Sequence, residues 1–471
     1  MLNLMGRIGL PFSDLDVFFL IMKYLHFLMA FAVLISFCSC GSGDDEPVVG
    51  SDITEAISIP ADGGQFTVDV KIKGSWVSSV DYGFNASTDN WLTVTPGTGE
   101  GGSIKLDAKP NTAYDSRHTQ VTVRAGKTYQ FIDVTQEPAQ KPINESLSFA
   151  NAGGQVEVPV KLSGNWTAQL KSDFCSLIAA SGNGGSVKLQ MDRNDQLSAR
   201  IGKLEIRCGT SVQNVELVQS GDVSQMDVCP MGEEYQLVWS DGFDTDGGLS
   251  SDWRYEVQGS GWVNHELQNY VRQKSPAGQE VTTVQSGILS INCFKENDKI
   301  YSARIYAKDN VGWTYGYIEA SINLPSGKGT WPAFWMMPVN FRSWPHDGEI
   351  DIMEEVGYHR DYVSSSLHAD GHVHSNNTQV THEMYCKGAE GEFHVYGMEW
   401  TEDYIQTYVD GKKQLYYAND GQGDRNWPYH TPFYVILNLA WGGDWGGSQG
   451  VNEAALPVSM KVDYVRVFQK K

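Results

Sequence analysis

The stretch HDGEIDIMEEVG, residues 346–357, sets three acids, Glu349, Asp351 and Glu354, within six residues of a run that otherwise reads as a β-strand. Like charges on one face of a strand repel, so this crowding opposes folding and asks for a chemical reason. Side chains alternate along a strand. In regular pairing Glu349, Asp351, Met353 and Glu355 share a face and Glu354 points the other way. A bulge at Ile352-Met353 would insert one residue and return Glu354 to the face of the other two acids. The backbones of Glu349 and Glu354 would then lie about 13 Å apart, and side chains leaning inward by about 4 Å each would bring the carboxyls close together. Cleaving a glycosidic bond with retention needs two carboxyl groups about 5–5.5 Å apart, one a nucleophile and one an acid/base. Glu355 would be left facing the core or a neighbour.

Outward from this stretch, residues 232–471 are rich in Trp, Gly and short strand-like runs, among them YGYIEASINL (315–324), FHVYGMEW (393–400) and MKVDYVRVF (460–468). No long amphipathic helix interrupts them. About 240 residues of short strands predict a two-sheet β-jelly roll.

Glu-x-Asp-x-x-Glu resembles the bulged signature of glycoside hydrolase family 16. The resemblance runs through the whole C-terminal region: LVWSDGFD (237–244), YSARIYAKDNVGWTYGYIEASINLPSGKGTWPAFWMMP (301–338), HVYGMEWTEDYIQTYVDG (394–411), PFYVILNLAWGGDWGG (432–447) and VDYVRVF (462–468). It implies a concanavalin-like jelly roll, Glu349 as nucleophile, Glu354 as acid/base, and Asp351 between them tuning their protonation. It requires no cofactor for catalysis. The inserted Met353 and the loop VNHELQNYV (263–271) resemble laminarinases, which implies β-1,3-glucan or mixed β-1,3/1,4-glucan as substrate. Agarases and related galactanases share the bulge, so galactan hydrolysis, transglycosylation and a non-catalytic glycan-binding role stay as alternatives. Trp331 and Trp335 resemble the family's stacking residues, and Trp344 precedes the motif. Asn264, Arg304 and His368 are candidate sugar hydrogen-bonders. His265 stands where the family pattern has Asn, and Gly242 where an acid is common. The family's structural calcium falls near Asp463. His368, His372 and His374 form a local cluster that reads as a solvated loop rather than a metal site.

Residues 51–221 repeat. DGGQFTVDVKIKGSWVSSV (62–80) matches AGGQVEVPVKLSGNWTAQL (152–170), and GEGGSIKLDAK (99–109) matches GNGGSVKLQMD (182–192). The offset falls from 90 to 83, placing a seven-residue insertion near residues 82–90 of the first copy. Phe66, Val68, Val70 and Ile72, like Val156, Val158, Val160 and Leu162, alternate with polar residues as half-buried strands do. Each copy therefore predicts a small Ig-like β-sandwich, over 51–138 and 141–222, and the chain as a whole is all-β. Both copies resemble BACON domains, which implies glycan binding. Trp76 and Trp166 occupy matching places that read as core, and neither copy shows an exposed aromatic platform. Spacing the enzyme from its anchor is the favoured role. Cys175 and Cys208 fall in one copy, with pairing left open.

The segment MKYLHFLMAFAVLISFCSC (22–40) has one cation, an apolar run of about a dozen residues and a terminal cysteine, which reads as a signal peptide. Residues 1–21 fit no leader, so Met22 is the expected start. Ser39-Cys40 resembles a lipobox, making Cys40 the lipidation site, and Asp44-Asp45-Glu46 resembles the surface-export signal of Bacteroidetes lipoproteins. The expected location is thus the cell surface, anchored to the outer membrane, ahead of free secretion or the periplasm. A net charge of −22, from 57 acidic and 35 basic residues, argues against nucleic acid and disfavours a sulfated polymer. A neutral glycan partner and a monomer are expected. None of the seven cysteines falls in a zinc-like spacing.

Overall fold

The computed structural model describes residues 52–81, 90–307 and 312–471. The expectations for Met22 and Cys40, and most of the insertion near residues 82–90, lie outside these residues.

The repeat folds as the alternation requires. In the first copy a five-stranded sheet, ordered Ile53–Ile59, Thr128–Gln136, Arg117–Ala125, Ser75–Asp81, Thr98–Glu100, faces a three-stranded sheet of Gly64–Asp69, Ser103–Ala108 and Leu92–Thr95. The second copy repeats this order, and in both the first strand pairs parallel to the last. Ile104, Leu106 and Ala108 alternate inward with exposed Ser103, Lys105 and Asp107 outward. Trp76 and Trp166 are core residues, and their indole N–H groups donate to the carbonyls of Gly101 and Gly184. Each ring lies flat on a glycine: a Cβ at Gly99 or Gly182 would come within 2.3 or 2.4 Å of it. One aromatic pair escaped the sequence reading. Half-buried Tyr129 and Phe131, two apart on one strand, stack with centroids 5.6 Å apart.

Cys175 and Cys208 are both free thiols. Cys175 sits in the three-stranded sheet opposite Met191, and Cys208 ends a strand of the other sheet, where its thiol donates to the Ser163 carbonyl. The two sheets hold them apart.

The C-terminal region forms a two-sheet jelly roll. The outer, ten-stranded sheet runs Gln268–Tyr270, Lys299–Ser302, Ile288–Glu296, Val458–Lys470, Gly316–Asn323, His394–Trp400, Tyr404–Val409, Lys412–Ala418, with Tyr235–Asp241 and Thr282–Gln285 joining off this path. The inner, seven-stranded sheet runs Arg254–Tyr255, Arg304–Tyr306, Phe433–Trp441, Thr330–Pro338, Glu349–Glu355, Tyr362–His368, Val380–Tyr385. Between them lies one large core, including Phe334, Ile352, Met353, Trp400 and Val435.

The second repeat packs against the outer sheet. Ala199, Val218 and Ile288 form a small buried cluster across the contact, with Ile201 and Phe393 against it. Lys461 pairs with Glu216. Arg466, buried with Glu319 at 2.6 Å, also donates to the carbonyls of Gln225, Met226 and Val228 in the segment that joins the two units.

Candidate active site

The strand Glu349–Glu355 carries the bulge. Trp335 pairs with Asp351, and the next pair is Phe334 with Met353, so on this side Ile352 is the extra residue and not Met353 as the sequence resemblance implied. On the other side Asp351 pairs with Ser366 and Glu354 with Ser364, leaving Ser365 opposite the irregularity. The Ser365 hydroxyl donates to the Ile352 carbonyl at 2.8 Å, giving the bulged backbone a partner. Ile352 and Met353 both enter the core, and Glu354 returns to the face of Glu349 and Asp351. A positive φ at Gly348 starts the strand, where a Cβ would lie 2.9 Å from Pro428.

Pairing registers extend this face across the sheet. Arg304, Asn438, Ala333, Glu354, Ser364 and Glu383 stand in one row over six strands. Trp331 and Trp335 share the parity of Ala333 and so point to the same side. The Trp331 indole donates to Glu354 Oε1 at 2.9 Å, and the Trp344 indole donates to Glu349 Oε2 at 3.0 Å. His368, opposite Glu349, places Nε2 3.1 Å from Asp351 Oδ2 and 3.9 Å from Glu349 Oε1. Trp335 donates instead to Asn438 Oδ1 at 2.7 Å. The Arg304 guanidinium lies 4.5 Å from the Trp335 ring centre and 5.2 Å from that of Trp262, with its Nε buried and unpartnered. Asn264, in left-handed backbone, gives its amide to Glu266 and its carbonyl to the Asp444 N–H.

Burial pushes all three carboxyls up to about 8. Neighbouring charges act on both outer acids. Asp351 raises both, and Glu266 adds to the rise at Glu354. At Glu349 the charges of His368 and Arg304 oppose the rise. At Glu354 the Trp331 N–H and the charge of His368 oppose it in turn, so the two outer carboxyls are held alike.

Of the expected residues, Trp331, Trp335, Trp344, Arg304 and His368 gather around the triplet, and Asn264 lines the adjoining loop. His372 bonds through Nε2 to the Tyr417 hydroxyl at 2.8 Å, so it points away from His368. His374 stays near, its ring 5.3 Å from Trp344 and 5.6 Å from His368. Glu355 leaves the face and packs beside Glu390, with the Asp361 N–H donating to it. Asp463 is a correction. Its Oδ2 accepts from the Ala199 N–H at 2.7 Å, and the Gly221 N–H donates to the same carboxylate. Backbone donors facing this acid do not fit a calcium ion, which needs six or more oxygen ligands.

Sequence reasoning missed Trp262, Glu266, Asn438 and Trp445. Asn438 had a signal, a single amide inside the apolar run PFYVILNLAW. Trp445 packs edge-on to Trp331 at 5.6 Å, a contact set by the short helix Gly443–Gly446 that the sequence did not announce.

Comparison with known proteins agrees with this geometry. Residues 274–466 match the model for "Glycosyl hydrolases family 16". Residues 76–137 match BACON, "Putative binding domain, N-terminal", and 143–222 match "Viral BACON domain". A "Beta-glucanase" from Rhodothermus marinus is 40% identical over 248 residues, covering 50% of this chain and 85% of that protein. A "Glucan endo-1,3-beta-glucosidase A1" from Niallia circulans is 33% identical, covering 50% of this chain and 38% of its own length. A "Keratan-sulfate endo-1,4-beta-galactosidase" from Sphingobacterium multivorum is 32% identical, covering 50% and 56%. With the bulged acid triplet in place and a relative matched over most of its length, the chain belongs to glycoside hydrolase family 16 and is a retaining glycoside hydrolase.

Proposed function

We propose that the chain is an endo-β-glucanase acting on β-1,3-glucan or mixed β-1,3/1,4-glucan. The observation that carries the mechanism is the bulge, which sets Glu349, Asp351 and Glu354 on one face among indole and imidazole groups. Glu349 attacks the anomeric carbon as Glu354 protonates the departing oxygen. The resulting glycosyl ester on Glu349 is opened by water, whose proton returns to Glu354. Asp351 raises both neighbours and favours the protonated acid between turnovers, while the charge of His368 beside it opposes the rise. Trp262, Arg304 and Trp335 form a stacked wall for the sugars beside the triplet. The glucan assignment rests on the beta-glucanase and glucan endo-1,3-beta-glucosidase relatives. The test is a product profile on laminarin, barley mixed-linkage glucan and agarose. Oligosaccharides from either glucan are expected, and cleavage of agarose alone would replace the substrate while keeping the mechanism.

Activity requires Glu349 ionised and Glu354 protonated, and burial places both near 8, so the rate falls on the acid side as Glu349 takes up a proton and on the alkaline side as Glu354 loses one. The Trp331 N–H stabilises the ionised form of Glu354. Trp331→Phe removes that donor, raises the acid's pKa and should move the alkaline limb upward by about one pH unit. An unmoved limb would dissociate Trp331 from the acid.

Surface anchoring through Cys40 completes the proposal, resting on the signal-peptide and lipobox pattern of residues 22–40. Cys40→Ala should release the protein from membranes; continued anchoring would defeat this part.

A further inference from the structure

We propose that Tyr362 and Tyr385, supported by His359, form a sugar-stacking platform on the leaving-group side of the cleavage point. The inference rests on the glucanase reading for its ligand, a β-glucan chain, and on register for its place. Glu354 pairs with Ser364, and Ser364 with Glu383. Two residues along the same strands, Tyr362 pairs with Tyr385. Equal parity puts both phenol rings on the face that carries the acids, whereas Val363 and Leu367 between them enter the core. Strand geometry places Tyr362 about 8 Å and Tyr385 about 12 Å from Glu354, backbone to backbone, a span of a few sugar rings.

The rings are ordered and open. His359 stacks on Tyr362 with centroids 4.0 Å apart and planes 11° apart, and its Nδ1 bonds Glu383 at 3.1 Å. Tyr362 and Tyr385 lie 5.2 Å apart. Tyr385 is 56% exposed and Tyr362 36%. Tyr385 ends the edge strand of the sheet, where a large exposed aromatic surface invites self-association unless it has a ligand. Flat amphipathic rings flanked by a carboxylate and an imidazole suit a neutral sugar, which offers an apolar face and a rim of hydroxyls.

The direction of displacement fixes the side. In-line displacement sends the leaving oxygen away from Glu349, and the platform lies beyond Glu354 in that direction. It also lies across the sheet from the Trp262–Arg304–Trp335 wall. A sugar held there can take the place of water. Its hydroxyl oxygen bonds to the anomeric carbon as the ester to Glu349 breaks, and its proton passes to Glu354.

The test compares wild type, Tyr362→Ala with Tyr385→Ala, and Tyr362→Trp with Tyr385→Trp, on laminarin and on 4-nitrophenyl β-laminaribioside, whose leaving group is too short to reach the platform. The double alanine variant should lose about tenfold in kcat/KM on laminarin while the aryl glycoside changes less than about twofold. Its ratio of transfer to hydrolysis products should fall, and the tryptophan variant should keep both. Equal losses on both substrates, or none on either, would overturn the platform. A glycone-side location would leave the transfer ratio unchanged and overturn the assignment of side. If wild type cleaves a different polymer, the glucanase reading fails and the same comparison on that polymer still decides the platform. If wild type cleaves none, retardation of Glu349→Gln in laminarin, barley-glucan and agarose gels, with and without the two tyrosines, decides it: retardation lost with the tyrosines supports the platform, and equal or absent retardation overturns it.

Discussion

Glu354→Gln should lower kcat/KM on the polysaccharide by on the order of 10⁴-fold, because the departing sugar oxygen loses its proton source and the attacking water its base. The loss should shrink sharply with an aryl leaving group, which departs without protonation. Glu349→Gln should be at least as damaging and should show no such relief, since no ester forms. Glu355→Gln is the control. Burial pushes that carboxyl well above the usual carboxylate range, and an amide of equal size replaces it without adding a charge. It also faces Glu390 and Asp361, away from the catalytic row. Full loss at Glu355 with survival at Glu354 would mean that the strand pairs without its bulge and that Glu355, not Glu354, faces Glu349.

Arg466→Ala should destabilise the protein by about 3–5 kcal/mol, because it strands the charge of Glu319 in the core. Glu319 is 1% and Arg466 4% exposed, with Arg466 Nε 2.7 Å from Glu319 Oε1. For a unit of this size the loss corresponds to a fall in Tm of about 10 °C. Arg466→Met combined with Glu319→Gln should recover much of it, since no unpaired charge remains. The turnover number below the transition should stay near wild type, because the pair lies on the outer sheet. An unchanged Tm would show that the pair and its three carbonyl contacts contribute nothing net. A fragment beginning at residue 232 lacks those three carbonyls, together with Ala199 and Glu216, so it should melt below a chain that keeps the second repeat. The second repeat thus buttresses the outer sheet, a contact that a spacer role allows.

The all-β class, the repeat and the acid triplet were legible in the sequence because they depend on local quantities. Period-two alternation is imposed by the strand itself, matching Gly and Trp positions betray a repeated unit, and three acids within six residues cannot hide in a strand. The bulge was legible too, since parity alone excludes Glu354 from the face of Glu349. The tertiary structure decided what depends on distant partners. Ser365 meets the Ile352 carbonyl only because the neighbouring strand pairs there, and Asn438 reaches Trp335 from 103 residues away. Tyr362 and Tyr385 become a surface only through strand register. At Asp463, near which the family resemblance places a structural calcium, packing against the second repeat brings the N–H of Ala199, 264 residues away in sequence, to the carboxylate. A side chain's type and spacing fix what it can bond; the global packing fixes which of those bonds it makes.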